Sequence, residues 1–330
     1  MNRLPETDVP LAEDEAEAAF SAVLDGTVPD EAIAAFLVGL ADRGETASEI
    51  AGAARAMRAR MIPIDAPDNA IDVCGTGGDG HHTLNVSTAV SLVVAACGVP
   101  VAKHGNRAAS SKAGAADTLE ALGLDLDRAA ETAEATLADI GICFLFAARH
   151  HPAMGRIMPI RRAIGRRTIL NLMGPLANPA NVQRQLVGIA RPAYVPIYAD
   201  ALARLGTAHS MVISGDEGLD ELSLAGGNEI ADVRGASYLM QRVSAADAGL
   251  PSSPVDAIRG GNPSHNAEAL CRLLLGEHGP YRDAVLFNAA GALIVAGEVA
   301  DWREGVEEAA EALDKGLAKA LLDCWIASTR

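Results

Sequence analysis

The segment from Asp72 to Ala89, DVCGTGGDGHHTLNVSTA, constrains this chain most, because it places a glycine-rich loop directly after a short apolar strand and before a helix. The loop glycines lack the Cβ atoms that would hold a ligand away from the backbone, and they tolerate positive φ. Successive backbone N–H groups can therefore point inward at an anion, and the N-terminus of the following helix offers more of them. Ser87 and Thr88 suit the start of that helix, and Gly98 suits its end. The segment predicts a phosphate-binding loop.

Two common nucleotide-binding loops fit this segment poorly. A P-loop requires a lysine followed by serine or threonine after its glycines, and neither stands there. Gly75, Gly77 and Gly80 match the G-x-G-x-x-G spacing of dinucleotide-binding folds, but several residues separate them from the helix. That fold also places an acidic residue at the end of the second strand, where this chain has Lys103. A lysine at that position suits a phosphate better than a ribose diol.

A second polar loop follows the next predicted strand. The segment from Lys103 to Gly123, KHGNRAASSKAGAADTLEALG, combines basic, amide and hydroxyl side chains with small residues, ahead of an amphipathic helix. Ligands of open α/β sheets bind outside the carboxyl ends of the strands. Two consecutive strand–loop–helix units of this kind therefore predict one shared phosphate site, although two ordinary surface loops remain the alternative.

The spacing of apolar residues predicts helices first and a sheet afterwards. From about residue 12 to 60 the spacing is helical, with Asp30 as a cap and a capping box formed by Thr46 and Glu49. Pro63 and Pro67 mark a linker. Beyond it, helices separate predicted strands, which indicates a mostly parallel sheet. These strands are AIDVCG, VPVAKH, ICFLFA, QLVGIA, AHSMVIS, EIADV and AVLFNAA, and VEEAAEALDKGLAKALLDCWIAS is predicted as one long C-terminal helix.

Composition excludes several classes of protein. The chain has 330 residues, 49% of them apolar, which suits a large core and two domains. Its five widely spaced cysteines favour a reducing compartment over a disulfide framework or a zinc site. The acidic N-terminus lacks the apolar core of a signal peptide, and the longest apolar stretch, Ala284 to Ala300, contains Asn288 and Glu298. We therefore expect a cytoplasmic protein without a membrane partner.

Charge is distributed unevenly along the chain. A net charge of −16 argues against nucleic acid as a partner. Six arginines nevertheless lie between Arg149 and Arg167 without an acidic residue among them. We interpret most of these arginines as a solvated helix face, although a local cluster of this kind can attract an anion despite the opposing net charge.

The two loop motifs together resemble the anthranilate phosphoribosyltransferase family of tryptophan biosynthesis. GTGGDG with TLNVSTA and KHGNRAASS with GAADTLEALG carry the resemblance, which continues through Phe144–Pro179, Gly218–Leu224, Pro280–Gly297 and the N-terminal helices. It implies an α/β protein of nucleoside phosphorylase-like fold, with a mostly parallel central sheet, that forms a homodimer. A small N-terminal helical domain, residues 1–66 with part of 150–180 packed back on it, is expected to hinge on a large α/β domain, residues 67–330.

The resemblance also implies the reaction and its site. The phosphoribosyl group of phosphoribosyl pyrophosphate would pass to the amine of anthranilate, with Mg²⁺ as cofactor. Ser87, Asp220 and Glu221 would hold the metal, and Gly75, Asn106 and Arg161 would contact anthranilate. The residues implied to bind the phosphoribosyl donor are Gly75, Gly78, Asp79, Thr83, Asn85, Val86, Ser87, Thr88, Lys103, His104, Gly105, Asn106, Arg107, Ala108, Ala109, Ser110, Ser111 and Ala115.

His104 and His151 border the implied site and are candidate general bases. The aniline nitrogen is already neutral and nucleophilic at neutral pH, so we expect catalysis mainly by orientation and by stabilisation of the leaving group. The chain has Ala148 where the family usually has proline, and Ala115 where it often has serine. Two alternatives remain: a pyrimidine nucleoside phosphorylase-like enzyme, and a non-enzymatic nucleic-acid-binding relative of the same fold.

Overall fold

The chain begins with a bundle of three helices. The computed structural model describes residues 3–108 and 112–330. The helices are α1 (Glu13–Leu24), α2 (Asp30–Arg43) and α3 (Ala47–Arg58). The capping box at the start of α3 is confirmed, since the backbone N–H of Thr46 donates to the Glu49 carboxylate at 2.9 Å. The prediction for Asp30 is wrong by one position: Pro29 is the N-cap of α2, and Asp30 lies in the first turn, where the helix dipole also favours an acid.

One seven-stranded sheet forms the centre of the molecule, in the order β3-β2-β1-β4-β5-β6-β7. The strands are β1 (Ile71–Gly75), β2 (Val101–Gly105), β3 (Ile142–Phe146), β4 (Arg184–Gly188), β5 (His209–Gly215), β6 (Gly227–Arg234) and β7 (Ser237–Ser244). The neighbours from β3 to β5 pair in parallel, and β6 and β7 continue the sheet as an antiparallel hairpin. The chain crosses from β1 to β2 on one side and returns to β4 on the other. Open sheets of this kind bind ligands at such a reversal of strand order.

Helices cover both faces of the sheet. They are α4 (Val86–Ala96), α5 (Ala115–Ala121), α6 (Leu126–Glu131), α7 (Ala133–Ile140), α8 (Ala147–His150), α9 (Pro152–Ile164), α10 (Met173–Leu176), α11 (Val195–Leu205), α12 (Pro263–Leu274), α13 (Pro280–Ala296), α14 (Trp302–Asp314) and α15 (Leu317–Ser328). On one face, α4 and α13 bury Val90 and Phe287 in the larger core. On the other face, Phe20 and Ile33 of the N-terminal bundle share a core with Ile157 of α9 and Tyr198 of α11.

Six of the seven predicted strands are confirmed, but AVLFNAA is wrong, because these residues lie inside helix α13. Every residue of that segment is buried. A helix that is apolar on all sides lacks the polar face that would reveal a 3.6-residue period, so its sequence reads equally well as a buried strand. The hairpin strand β7 was not predicted, because most of its residues are exposed and show no alternation.

The predicted long C-terminal helix is two helices. Gly316, with a φ of 70°, interrupts the helical conformation after α14, and α15 begins at Leu317. A left-handed residue cannot continue a right-handed helix, and glycine adopts that conformation without a steric penalty. No helix within the described residues has both the length and the apolar character needed to cross a membrane.

Candidate active site

The glycine loop lies where β1 ends, as predicted from the sequence. Gly77, Gly78 and Gly80 have φ values of 69°, 76° and 83°, which only glycine adopts readily. The helix after the loop begins one residue earlier than predicted. Asn85 is its N-cap, so Ser87 and Thr88 lie in the first turn and do not cap it.

Asn85 is fixed by a network of hydrogen bonds and thereby orients the start of α4. Its side-chain oxygen accepts from the Thr118 hydroxyl at 2.6 Å and from the Asn266 amide at 2.8 Å, and its own amide donates to the carbonyl of Ala113 at 3.2 Å. The Tyr281 hydroxyl donates to its backbone carbonyl at 3.3 Å. With its side chain occupied in this way, Asn85 positions the helix N-terminus toward the loop.

Asp220 and Glu221 bind the two ends of the glycine loop. The N–H of Gly77 donates to Asp220 Oδ2 at 2.6 Å, and the N–H of Ser87 donates to Glu221 Oε1 at 3.1 Å. A Cβ atom on Gly75 would collide with the Asp220 carboxylate, and one on Gly188 would collide with the Asp220 backbone carbonyl. Glycine at the ends of β1 and β4 therefore allows the acidic segment to lie directly against the sheet edge.

Both carboxyl groups have raised pKa values. Burial, followed by repulsion from Asp79, raises the pKa of Asp220 to about 7. Burial and the neighbouring Asp220 raise the pKa of Glu221 well above its ordinary value. Glu221 Oε2 is buried and lacks a hydrogen-bond partner within the described residues. Raised pKa values and an unpaired carboxylate oxygen mark a place that a cation would stabilise.

This donor set fits Mg²⁺. The described residues contain no group of three or more His, Cys, Asp or Glu side chains arranged around one metal position. Mg²⁺ prefers oxygen ligands and commonly uses only one or two carboxylates, together with waters and substrate phosphates. Asp220, Glu221 and the hydroxyl of Ser87 supply such a partial set.

Lys103 is buried at the end of β2, with 2% of its surface exposed. Its Nζ donates to the carbonyl of Val73 at 2.9 Å and to Ser87 Oγ at 3.4 Å. Burial lowers the pKa of Lys103, and the nearby Asp72 counteracts that effect. Asp72 accepts the N–H of His104 at 3.2 Å and the Asn178 amide at 2.8 Å. Lys103 therefore brings a positive charge to the start of α4 from within the sheet.

His104 and His151 form a buried pair. Their Nε2 atoms lie 3.3 Å apart, and His104 Nδ1 lies 2.9 Å from the carbonyl of Gly174. Since that carbonyl can only accept, Nδ1 carries the proton of neutral His104. Burial and the His151 ring lower the pKa of His104 to about 3, and burial lowers the pKa of His151 to about 4. Both rings are therefore neutral at pH 7.

The second loop is anchored by Asp117. Its Oδ2 accepts the N–H groups of Ala108 and Gly114, each at 2.9 Å. Arg107 donates to Asp117 and Glu120 and lies 5.9 Å from the centre of the Phe146 ring. The Arg107 guanidinium thus already has acidic partners on the protein.

One cavity of about 320 Å³ brings most of the predicted residues together. Those that line it are Gly75, Gly78, Asp79, Thr83, Asn85, Ser87, Lys103, His104, Gly105, Asn106, Arg107, Ala108, Ala115, Asp220 and Glu221. Val86 and Thr88 are buried in α4, and His151 lies behind His104. Arg161 lies on α9 with its Nη1 3.9 Å from Met158 Sδ, outside the cavity wall. Ala109, Ser110 and Ser111 lie outside the described residues.

Sequence reasoning missed Arg167 and Asp72. Arg167 donates to the carbonyl of Gly77 at 2.6 Å, so both sides of that glycine are held by charged groups. It was one of six arginines in a single segment, and nothing in the spacing distinguished it. Asp72 could have been found, because an acid between the apolar residues of a buried strand indicates a buried polar network.

The fold and the site define a two-part glycosyl transferase. Residues 6–61 match the helical bundle domain of the glycosyl transferase family, and residues 67–319 match its α/β domain. The chain is 82% identical to the anthranilate phosphoribosyltransferase of Novosphingobium aromaticivorans, over 99% of each chain. The corresponding crystal structure from Thermus thermophilus superposes with a TM-score of 0.91 at 41% identity, covering 98% of this chain and 97% of that one.

A more distant solved structure retains the same architecture. The anthranilate phosphoribosyltransferase from Saccharomyces cerevisiae, in complex with phosphoribosyl pyrophosphate and Mg, has a TM-score of 0.86 at 27% identity, covering 99% of this chain and 93% of that one. The present chain belongs to the anthranilate phosphoribosyltransferase family.

Proposed function

We propose that this protein transfers the phosphoribosyl group of phosphoribosyl pyrophosphate to the amine of anthranilate, in the biosynthesis of tryptophan. The observation that carries the proposal is the convergence of the glycine loop, the Lys103 loop and the two carboxylates on one cavity. In the reaction, the bond from ribose C1 to the pyrophosphate oxygen breaks and a bond from C1 to the anthranilate nitrogen forms. Pyrophosphate leaves with the electron pair, and the nitrogen loses one proton.

The donor phosphates are proposed to bind at the two strand-end loops. The backbone of the glycines around Gly78, which carry no side chains, and the N-terminus of α4 offer N–H groups to an anion. Lys103 Nζ lies beside Ser87 at the base of the cavity and supplies the nearest buried positive charge. We propose that these groups together hold the donor phosphates at the strand ends.

Ser87, Asp220 and Glu221 are proposed to hold Mg²⁺. When bound, the metal neutralises charge on the departing pyrophosphate. Asp220 and Glu221 also hold the glycine loop through Gly77 and Ser87, so the carboxylates that would bind the metal also position the backbone that would bind the phosphates.

Anthranilate is proposed to bind near Gly75, Asn106 and Arg161. A guanidinium forms a charge-assisted bond with a carboxylate, which gives Arg161 its proposed role. Arg161 lies outside the cavity wall in this conformation, so its role requires that α9 approach the α/β part when substrates bind. The neutral His104 and His151 can accept a proton only weakly, which supports catalysis by orientation and leaving-group stabilisation.

The proposal includes the division of the chain and its assembly. Residues 1–66 with part of 150–180 would form one unit and 67–330 the other, and the shared core of Phe20 and Ile157 supports this division. The helical units would pair in a homodimer, and the protein would act in the cytoplasm. The family relationship favours the transferase over the pyrimidine nucleoside phosphorylase and the nucleic-acid-binding alternatives.

The direct test mixes purified protein with Mg²⁺, phosphoribosyl pyrophosphate and anthranilate, and follows anthranilate fluorescence. We expect the fluorescence to be consumed, and EDTA to abolish the reaction. Protein that cleaved a pyrimidine nucleoside with phosphate and left anthranilate unchanged would refute the proposal.

A further inference from the structure

A second cavity, of about 160 Å³, is lined by residues different from those of the proposed donor site. One wall comes from the segment after α2, through Glu45, and from the segment after α9, through Arg166 and Arg167. The other wall comes from the segment after β4, through Arg191 and Tyr194. A single water needs only about 10–15 Å³ of such space, so the cavity can hold a polyatomic anion. None of the residues predicted for the reaction lines it.

The charge around this second cavity is positive, although the whole chain carries −16. Arg166 pairs with Asp42 at 2.7 Å. Arg191 lies 5.8 Å from the centre of the Tyr194 ring and has no acidic ion-pair partner within the described residues. Burial lowers the pKa of Arg167, and repulsion from Arg191 lowers it further, whereas Asp220, Asp79 and Glu45 act in the opposite direction. The one carboxylate in the wall, Glu45, accepts a hydrogen bond from the Tyr194 hydroxyl at 2.5 Å.

A buried polar group without a partner marks the same wall. Thr168 is 4% exposed, and its hydroxyl oxygen has no hydrogen-bond partner within the described residues. A buried hydroxyl without a partner is costly unless a ligand or water completes it. Two repelling arginines beside an unsatisfied hydroxyl form a place where a small oxyanion would satisfy all three groups.

Arg167 joins the two cavities. It lines the second cavity, and it donates to the carbonyl of Gly77, which lines the donor cavity. Arg167 therefore links the backbone of the glycine loop to the wall of the second cavity.

We propose that the cavity between Arg167 and Arg191 is a second oxyanion site, which receives phosphate groups and serves the pyrophosphate product on its way out. The inference rests on the proposed function only for the source of the pyrophosphate. Free inorganic phosphate has the same chemistry and is the other possible occupant.

The test is an equilibrium titration of the full-length chain with inorganic pyrophosphate and, separately, with inorganic phosphate. We expect two pyrophosphate sites per chain. Arg191→Gln should weaken one of them at least tenfold, Arg191→Lys should retain most of its affinity, and Lys103→Ala should weaken only the other. Arg234→Gln, a change to an exposed arginine paired with Asp232, is the matched control and should alter neither.

The outcomes separate the second site from the proposed function. Unchanged pyrophosphate binding in a folded Arg191→Gln variant would overturn the second site. Failure to consume anthranilate, with the Arg191-dependent site intact, would overturn only the proposed function. Phosphate binding as tight as pyrophosphate binding would overturn the product-release role and leave free phosphate as the occupant.

Discussion

Asp220 accepts the backbone N–H of Gly77 at 2.6 Å, although 143 positions separate the two residues in the sequence. The contact joins the acidic segment after β5 to the loop after β1, at the reversal of strand order in the sheet. The proposed metal ligand is thus also the anchor of the proposed phosphate loop. A change to either residue is expected to affect both metal binding and phosphate binding.

Replacing the two carboxylates by amides of the same shape tests whether they bind the metal. We expect Asp220→Asn with Glu221→Gln to lower turnover by at least ~10²-fold, the scale of losing a charge-stabilising group in a transition state. The same variant should raise the Mg²⁺ concentration needed for half-maximal rate. A rate titration with Mg²⁺ measures both effects, and an unchanged titration would show that the pair does not bind the metal.

The pH dependence of that variant's stability should differ from that of the parent protein. Burial and Asp79 raise the pKa of Asp220 to about 7 from an ordinary 3.8, so between these values the native state binds more protons than the unfolded state. Stability of the metal-free protein therefore falls as pH rises through this window, and the double variant should lack that loss. Urea denaturation in EDTA at several pH values measures the difference.

The histidine pair should act in the opposite direction. The pKa values of His104 and His151, about 3 and about 4, lie below the ordinary 6.5, so the unfolded state binds more protons between about pH 4 and 6.5. Stability should fall as the pH falls through that window, and His151→Gln should flatten the slope. His265→Gln, at an exposed histidine, is the control and should leave the slope unchanged.

Gly75→Ala tests the close approach of Asp220 to the end of β1. The added Cβ would fall on the Asp220 carboxylate and push it from the Gly77 N–H. A hydrogen bond to a charged group contributes about 1.5–3 kcal/mol. Its loss would leave the glycine loop less well positioned, so the KM for phosphoribosyl pyrophosphate should rise by at most the equivalent of that free energy, roughly 10- to 150-fold. Gly155→Ala, whose Cβ would meet nothing within 4 Å on α9, should leave the kinetics unchanged. Equal KM values in the two variants would contradict this account.

Arg161→Ala and Lys103→Ala should affect different substrates. Arg161 is proposed to bind the anthranilate carboxylate, so its loss should raise the KM for anthranilate about 10- to 150-fold and change the donor KM much less. Lys103→Ala should instead raise the KM for the donor and change the KM for anthranilate much less. Arg162→Ala, a change to the exposed neighbour of Arg161, should alter neither KM. Steady-state kinetics with each substrate varied in turn decides the matter. If Arg161→Ala raised only the KM for the donor, Arg161 would be a ligand of the donor phosphates and not of anthranilate.

Features encoded locally were predictable from the sequence. The glycine loop, the capping box of Thr46 and Glu49, and six strands of the sheet each depend on residues within a short segment. Helix α13 was not predictable in this way, since its apolar residues surround the whole helix, and its packing against the sheet, α4 and α14 determines which side faces which neighbour.

Contacts between distant segments also escaped prediction. The role of Arg167 depends on the path of the chain after α9, which brings it to Gly77, 90 positions earlier. No spacing rule distinguishes it from Arg166, which pairs with Asp42 instead. By contrast, the break at Gly316 had a sequence signal, because glycine in the middle of a helical pattern lowers helix stability.

The contact of Gly188 with the Asp220 backbone has a consequence for the order of folding. The glycine loop lacks its carboxylate anchor until about two thirds of the 330 residues are available, because Asp220 follows β5 and lies against the end of β4. A growing chain that has just completed β4 can pair it with β1, yet the loop after β1 still lacks the carboxylate that holds Gly77. Contacts between segments so far apart in sequence form later than local helices. We therefore expect the proposed donor pocket to be completed only after β4 and the acidic segment have both formed.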